Sequence, residues 1–339
     1  MIDIRSDTMT KPGPEMLQAM INAEVGDDVF EEDPTVKALE HKTAELLGME
    51  AGLYCPTSTM SNQIALRILT RPQDEMICDK LSHIYLFEAG GIAANSQVSV
   101  RLLEGDRGIL NPEMIEENIS IDDVHLPYTT LVSLENTMNK GGGSFYTLDQ
   151  IKDIKKICDK HEMSLHLDGA RLFNATIATG DNPSDYGKYF DTISICLSKG
   201  LGAPVGALLL STHQAIKRAR KVRKSFGGGM RQAGYIAAAG IYALDNNIDR
   251  LINDHRRAQI LVETLNGKPY VKKMLPVDTN IVIFTLKDDI TTAKFIEEMA
   301  NRKVKVGAFG KNDIRFVTHL DFDDNMLDQV VDALNTVRI

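Results

Sequence analysis

Ile193-Ser194-Ile195-Cys196-Leu197-Ser198-Lys199-Gly200-Leu201-Gly202-Ala203-Pro204 places a lysine directly after an apolar run and directly before small, turn-forming residues. The run Thr192 to Cys196 has the near-continuous apolar character of a strand buried on both faces. An amine held where such a strand opens on a cleft loses hydration, which favours the neutral form that attacks a carbonyl. The competing reading is a strand-end lysine whose ammonium snorkels to water. Upstream, Ser164-Leu165-His166-Leu167-Asp168-Gly169-Ala170-Arg171 ends a second apolar run on an aspartate. In an open α/β sheet the carboxyl ends of neighbouring strands converge on one crevice, so Asp168 and Lys199 are expected to face the same ligand.

Around these two stretches, from about residue 50 to 210, short β-rich runs alternate with amphipathic or alanine-rich segments. That alternation predicts a mostly parallel sheet covered by helices. Strands are expected at Thr130 to Leu134, Ser164 to Leu167, Thr192 to Cys196 and Val205 to Leu210. Leu148, Ile151, Ile154 and Cys158 recur at helical spacing with lysines opposite, which makes a crossover helix. Asp33-Pro34 supplies a helix cap and first-turn proline, and Gly48 a stop. After Asn246 come a long polar helix, a strand at Asn280 to Leu286, a helix at Thr291 to Asn301, a strand at Asp313 to Thr318 and a closing helix from Asp324. This predicts a large domain, 15–246, joined through a continuous helix to a smaller α/β domain, 247–339.

Composition excludes several classes. With 339 residues, 43% hydrophobic and 25% charged, the chain reads as soluble and globular, and no segment approaches the ~20 apolar residues of a membrane span. The start Met1-Ile2-Asp3-Ile4-Arg5 lacks the basic and apolar blocks of a secretory signal, and the four cysteines show no C-x-x-C spacing. A cytoplasmic protein with reduced thiols and no metal site is expected. The net charge of −9 argues against nucleic-acid binding, and the basic run 217–224 is expected to be the solvated face of a helix.

Further residues suit a charged, aromatic ligand. A carboxylate such as Asp168 can hold a pyridine nitrogen protonated, and Arg171 can donate to a phenolate or carboxylate. Pro56-Thr57-Ser58-Thr59-Met60-Ser61 offers backbone amides and hydroxyls at a helix start, where phosphate binds, although capping alone explains the same residues. Gly227-Gly228-Gly229-Met230-Arg231 allows close backbone approach between the cations Lys224 and Arg231. His83 and His125 could stack on a ring or move protons, or could be ordinary core or surface histidines.

Together these stretches, with Ile4-Arg5-Ser6-Asp7-Thr8, Val25-Gly26-Asp27-Asp28-Val29, Glu32-Asp33-Pro34-Thr35, Ser82-His83-Ile84, Glu135-Asn136-Thr137 and Ile314-Arg315-Phe316-Val317-Thr318-His319, resemble the threonine aldolases over nearly the whole chain. The resemblance implies the aspartate-aminotransferase-like fold (fold type I): α/β, a mostly parallel seven-stranded sheet, a smaller C-terminal domain and an N-terminal segment, 1–14, beside the small domain and the active site. It implies pyridoxal 5'-phosphate on Lys199, Asp168 at the pyridine nitrogen, His83 stacked on the ring, and Ser58 and Thr59 at the phosphate. Lys224 and Arg231 would approach the phosphate side partly from a neighbouring subunit, while Ser6, Arg171 and Arg315 would hold the substrate carboxylate. The implied reaction cleaves L-threonine or L-allo-threonine to glycine and acetaldehyde, with His83, His125 or a water between them as base. A homotetramer built from dimers with shared sites is implied too. The rival readings are a β-eliminating lyase on a hydroxy- or thio-amino acid and a non-catalytic binder of the same fold. Three departures from the usual motifs bear on substrate range: Ser58 for a glycine, Phe30-Glu31 for Tyr-Gly, and Met138 for a histidine.

Overall fold

The computed structural model describes residues 1–339. Seven strands form the central sheet in the order Ala51–Cys55, Ala207–Ser211, Thr192–Cys196, Ser164–Gly169, Thr129–Glu135, Glu75–Asp79, Ser99–Leu103. Only Ala207–Ser211 runs against its neighbours. Every residue of Glu75–Asp79, Thr192–Cys196 and Ala207–Ser211 is buried, as strands covered on both faces require. The crossover helix Leu148–Lys160 buries Ile151, Ile154 and Cys158 and starts in a capping box of Thr147 and Gln150. Helix Pro34–Leu46 is capped by Asp33, which accepts from Val36 N at 3.0 Å.

A second sheet, ordered Gly307–Ala308, Asp313–Val317, Ile281–Leu286, Val271–Met274, is antiparallel throughout. Its core combines Phe284 and Phe316 with Leu261, Phe295 and Val330 from the helices Leu251–Leu265, Thr292–Asn301 and Asp324–Thr336. Ile2 and Ile4 join this core, and Ile2–Asp3 pairs parallel with Val304–Lys305. No helix is long and apolar enough to cross a membrane.

Three expectations need correction. The join between the halves is not a continuous helix: four residues, 247–250, separate Gly234–Asn246 from Leu251–Leu265. Asn247 takes the non-helical φ of −114° and donates its side-chain amide to Leu201 O at 2.7 Å, which anchors the break beside the Lys199 turn. The strand expected at Val205 to Leu210 lies at Ala207–Ser211, because Gly206 at φ 120° belongs to the turn. The basic helix His213–Ser225 is not simply solvated: Arg223 is buried against Tyr54 O and Asp28, and Arg220 pairs with Glu31 and Glu40.

Candidate active site

Parallel pairing aligns three strand ends. Glu135 lies opposite Asp168, and Asp168 opposite Ser194, so the chain leaving Cys196 carries Lys199 to the same edge. Lys199 is half-buried, with its carbonyl held by Gly202 N and by the Thr10 hydroxyl, both at 2.9 Å. Its charge acts on both Asp7 and His83. Asp168 lies inside its strand and is 2% exposed; it accepts from Ala170 N at 3.1 Å and from the Asn62 amide at 3.0 Å.

His83 opens a short helix, its backbone N–H donating to Glu135 at 2.7 Å and its Nδ1 lying 3.4 Å from Glu88. Burial alone would lower its pKa, but the bond to Glu88 and the charge of Asp168 outweigh it and raise it. Burial, and then the charge of Asp168, push Glu135 up to about 7.

Just past the strand that carries Asp168, Arg171 is pinned by Asp7 through two bonds of 2.7 Å, with both side chains at most 5% exposed. Burial would raise the Asp7 pKa, yet Arg171 first, then Lys199 and Arg315, hold it at about 2. Arg315 donates to Asn139 Oδ1 at 2.7 Å and to Arg5 O at 3.0 Å, and its guanidinium lies 4.3 Å from the Phe309 ring centre. Burial, and then the charge of Arg171, push Arg315 down to about 10. Its buried Nε has no partner. Arg171 and Arg315 are close enough for their charges to act on one another, and guanidinium donors of this kind suit a carboxylate. Ser6 adds its hydroxyl oxygen at the same turn, where it accepts from Thr8 N at 3.3 Å.

Helix Ser58–Leu69 reaches the same cluster through Asn62, which bonds to Asp168. Thr57 caps Met60 N, so the amides of Ser58 and Thr59 remain for an anion, and Ser58 Oγ is buried without a partner. Glycine at 58 is not needed, since Ser58 is not among the positive-φ residues.

The remaining candidates lie apart from this cluster within one chain. His125 is 85% exposed on a loop, bonded at 2.8 Å to Asp123. Arg231 pairs with Asp27 and lies over Phe30, and Lys224 is exposed beside Gly229. Asp7, Asn62, Glu88, Glu135 and Asn139 were not anticipated as site residues. Asp7 and Glu135 sit inside motifs that carry the resemblance, whereas nothing in sequence marks Asn62, Glu88 or Asn139, whose partners lie far along the chain.

The sequence profile of the beta-eliminating lyase family matches residues 3–289. The chain belongs to this family. It is 41% identical over 333 residues to the low specificity L-threonine aldolase of Escherichia coli K12, covering 97% of each chain. It is 37% identical over 334 residues to that of Candida albicans, covering 97% of this chain and 87% of the relative. Among solved structures it resembles Leishmania major threonine aldolase, with TM-score 0.84 and 22% identity over 99% of each chain. It also resembles Sphingomonas wittichii serine palmitoyltransferase, with TM-score 0.78 and 15% identity over 99% of this chain and 86% of the other. At those identities the structural likeness is one of fold. Of the unusual residues in this beta-eliminating lyase, Met138 is buried against Gly108 and Phe30 is exposed. Glu31 occupies the left-handed region at φ 58°.

Proposed function

We propose that the chain is a pyridoxal-phosphate-dependent threonine aldolase that cleaves L-threonine or L-allo-threonine to glycine and acetaldehyde. The observation that carries the reading is the pairing of a lysine and an aspartate on neighbouring strand ends with two arginines whose charges act on one another. The residues fit the cofactor: Ser58 Oγ and the first amides of its helix suit the phosphate, Asp168 the ring nitrogen and Lys199 the aldehyde carbon. Bound there, pyridoxal phosphate supplies an electron sink for the pair released when the Cα–Cβ bond breaks.

The chain's own groups do the rest. Asp168 holds a proton at the ring nitrogen. Arg171, Arg315 and Ser6 fix the substrate carboxylate, and thereby the angle of the bond to be broken. With Nδ1 turned to Glu88, His83 has Nε2 to take the β-hydroxyl proton. His125, or a water between the two histidines, is the alternative base, and His125 would reach the site from a neighbouring subunit, as would Lys224 and Arg231. Such sharing requires an oligomer, for which a homotetramer in the cytoplasm is proposed.

Assay of products tests the reaction: acetaldehyde with glycine is expected, whereas pyruvate with ammonia would make the chain a β-eliminating lyase. Borohydride reduction should abolish a visible absorption band and leave the pyridoxyl group on Lys199. A protein that shows no band after pyridoxal phosphate is added is a non-catalytic member of the fold. For the shared site, Lys199→Ala and Arg231→Ala proteins are each expected to be inactive and to regain activity when their subunits are mixed. Mixtures that stay inactive would return Arg231 to a surface role.

A further inference from the structure

Beneath Asp168 lies a buried polar layer that the reaction as described does not use. Asn62, 1% exposed, gives its two amide protons to two carboxylates: Asp168 Oδ2 at 3.0 Å and Glu88 Oε1 at 2.9 Å. Its Oδ1 faces His166 Nε2 at 3.3 Å, and the other ring nitrogen of His166 meets the Thr192 hydroxyl at 2.8 Å. Burial pushes His166 down to about 4, so it is neutral and carries one N–H. The ring thus bridges Thr192 and the oxygen side of the Asn62 amide. The second Glu88 oxygen accepts from Gln63 at 2.6 Å, and Gln63 accepts from Asn95 at 3.2 Å. Gly91 lets the Gln63 amide sit close, since a Cβ there would come within 2.6 Å of the Gln63 amide carbon and displace it.

The arrangement confronts an electrostatic difficulty. Oxygens of Asp168 and Glu88 and a ring nitrogen of His83 lie within 4.8 Å of one another, and Glu135 and Lys199 add their charges from the adjacent strand and turn. Two carboxylates so close in a buried site repel one another and have no water to separate them. A donor between them offsets that repulsion.

We propose that Asn62 is a positioning residue whose single amide, shared by Asp168 and Glu88, holds both carboxylates in place and so sets the ring-nitrogen partner and the His83 support together. The proposal rests on the cofactor reading above, and its test separates the two. Holoenzyme reconstituted with pyridoxal phosphate carrying 15N in the ring is titrated by NMR, with the visible band and the melting temperature recorded on the same samples. In the wild type the ring nitrogen is expected to stay protonated through neutral pH. In Asn62→Ala its titration midpoint is expected to fall by about one pH unit, a tenfold loss of proton affinity. Asn62→Asp, of the same shape but with at most one proton to give, should shift it the same way if the alanine variant does not fold. A variant that melts lower but titrates like the wild type would show Asn62 to be structural only and overturn the proposal. A wild type without the visible band would instead remove the cofactor reading, and this inference with it.

Discussion

Glu31 stands at φ 58°, where a side chain costs about 1–2 kcal/mol relative to glycine. Its ion pair with Arg220, at 3.0 Å and with Glu31 59% exposed, returns well under that. Glu31→Gly is therefore expected to stabilise the protein by about 0.5–1 kcal/mol in denaturant melts, and a loss of stability would assign the ion pair a larger share. His83 carries a sharper expectation. Its pKa is raised by Glu88 and Asp168, so a base at this position gains activity as pH climbs through a value above the free imidazole's ~6.5. Glu88→Gln should move that acid limb of the kcat/KM profile downward; an unmoved limb would transfer the base role to His125 or water. Lys199 and Asp168 were legible as polar residues at the ends of apolar runs, and His83 through a motif that carries the resemblance. Asp7 and Glu88 were not, because a buried carboxylate is explained only by its partner, and Arg171 lies far from Asp7 in sequence.

At the scale of elements, helix Gly234–Asn246 shows how packing reaches the site. Its alanines and Gly240 allow it to lie close on Pro34–Leu46, and a Cβ at 240 would come 2.8 Å from Leu197 and 2.9 Å from Leu39. Leu197 precedes the Lys199 turn by one residue. Gly240→Val is accordingly expected to cost about 1–3 kcal/mol by overpacking, and also to weaken cofactor retention, read as faster loss of the visible band on dialysis. Stability loss with unchanged retention would uncouple the helix from the turn. The apolar runs marked the strands to within a few residues, but they could not show that Ala207–Ser211 runs antiparallel, since a doubly buried strand is apolar in either direction. The break at Asn247 was hidden because a side chain bonded to a distant carbonyl ends that helix, with neither glycine nor proline to mark it. Alternating lysines and arginines likewise read as a wet helix face, although Arg223 is drawn inward by Tyr54 O and Asp28.

Across the whole molecule, the first eleven residues strap one half to the other through the site. Ile2 and Ile4 are buried in the core of the small sheet, and Val317 N donates to Ile4 O at 2.9 Å. Arg5 O holds Arg315, Asp7 holds Arg171, Thr10 holds the Lys199 carbonyl, and Lys11 N donates to Asp321 at 2.9 Å. Both arginines proposed to hold the substrate carboxylate, and the lysine turn, thus depend on one segment. Because Asp7 is held at about 2, its contribution is fully present above the ordinary carboxylate value of ~4 and is lost as pH falls from there towards 2. Asp7→Ala, which leaves the buried Arg171 guanidinium unpaired, should cost about 3–5 kcal/mol and raise KM more than it lowers kcat. Deletion of residues 2–10 should go further, and locally. Hydrogen exchange is expected to accelerate in Ile281–Leu286 and Asp313–Val317, while Thr129–Glu135 and Ser164–Gly169 keep their protection, because the large sheet closes its core without the strap. Uniform loss of protection would mean that the two halves fold as one cooperative unit and that the strap acts on both alike.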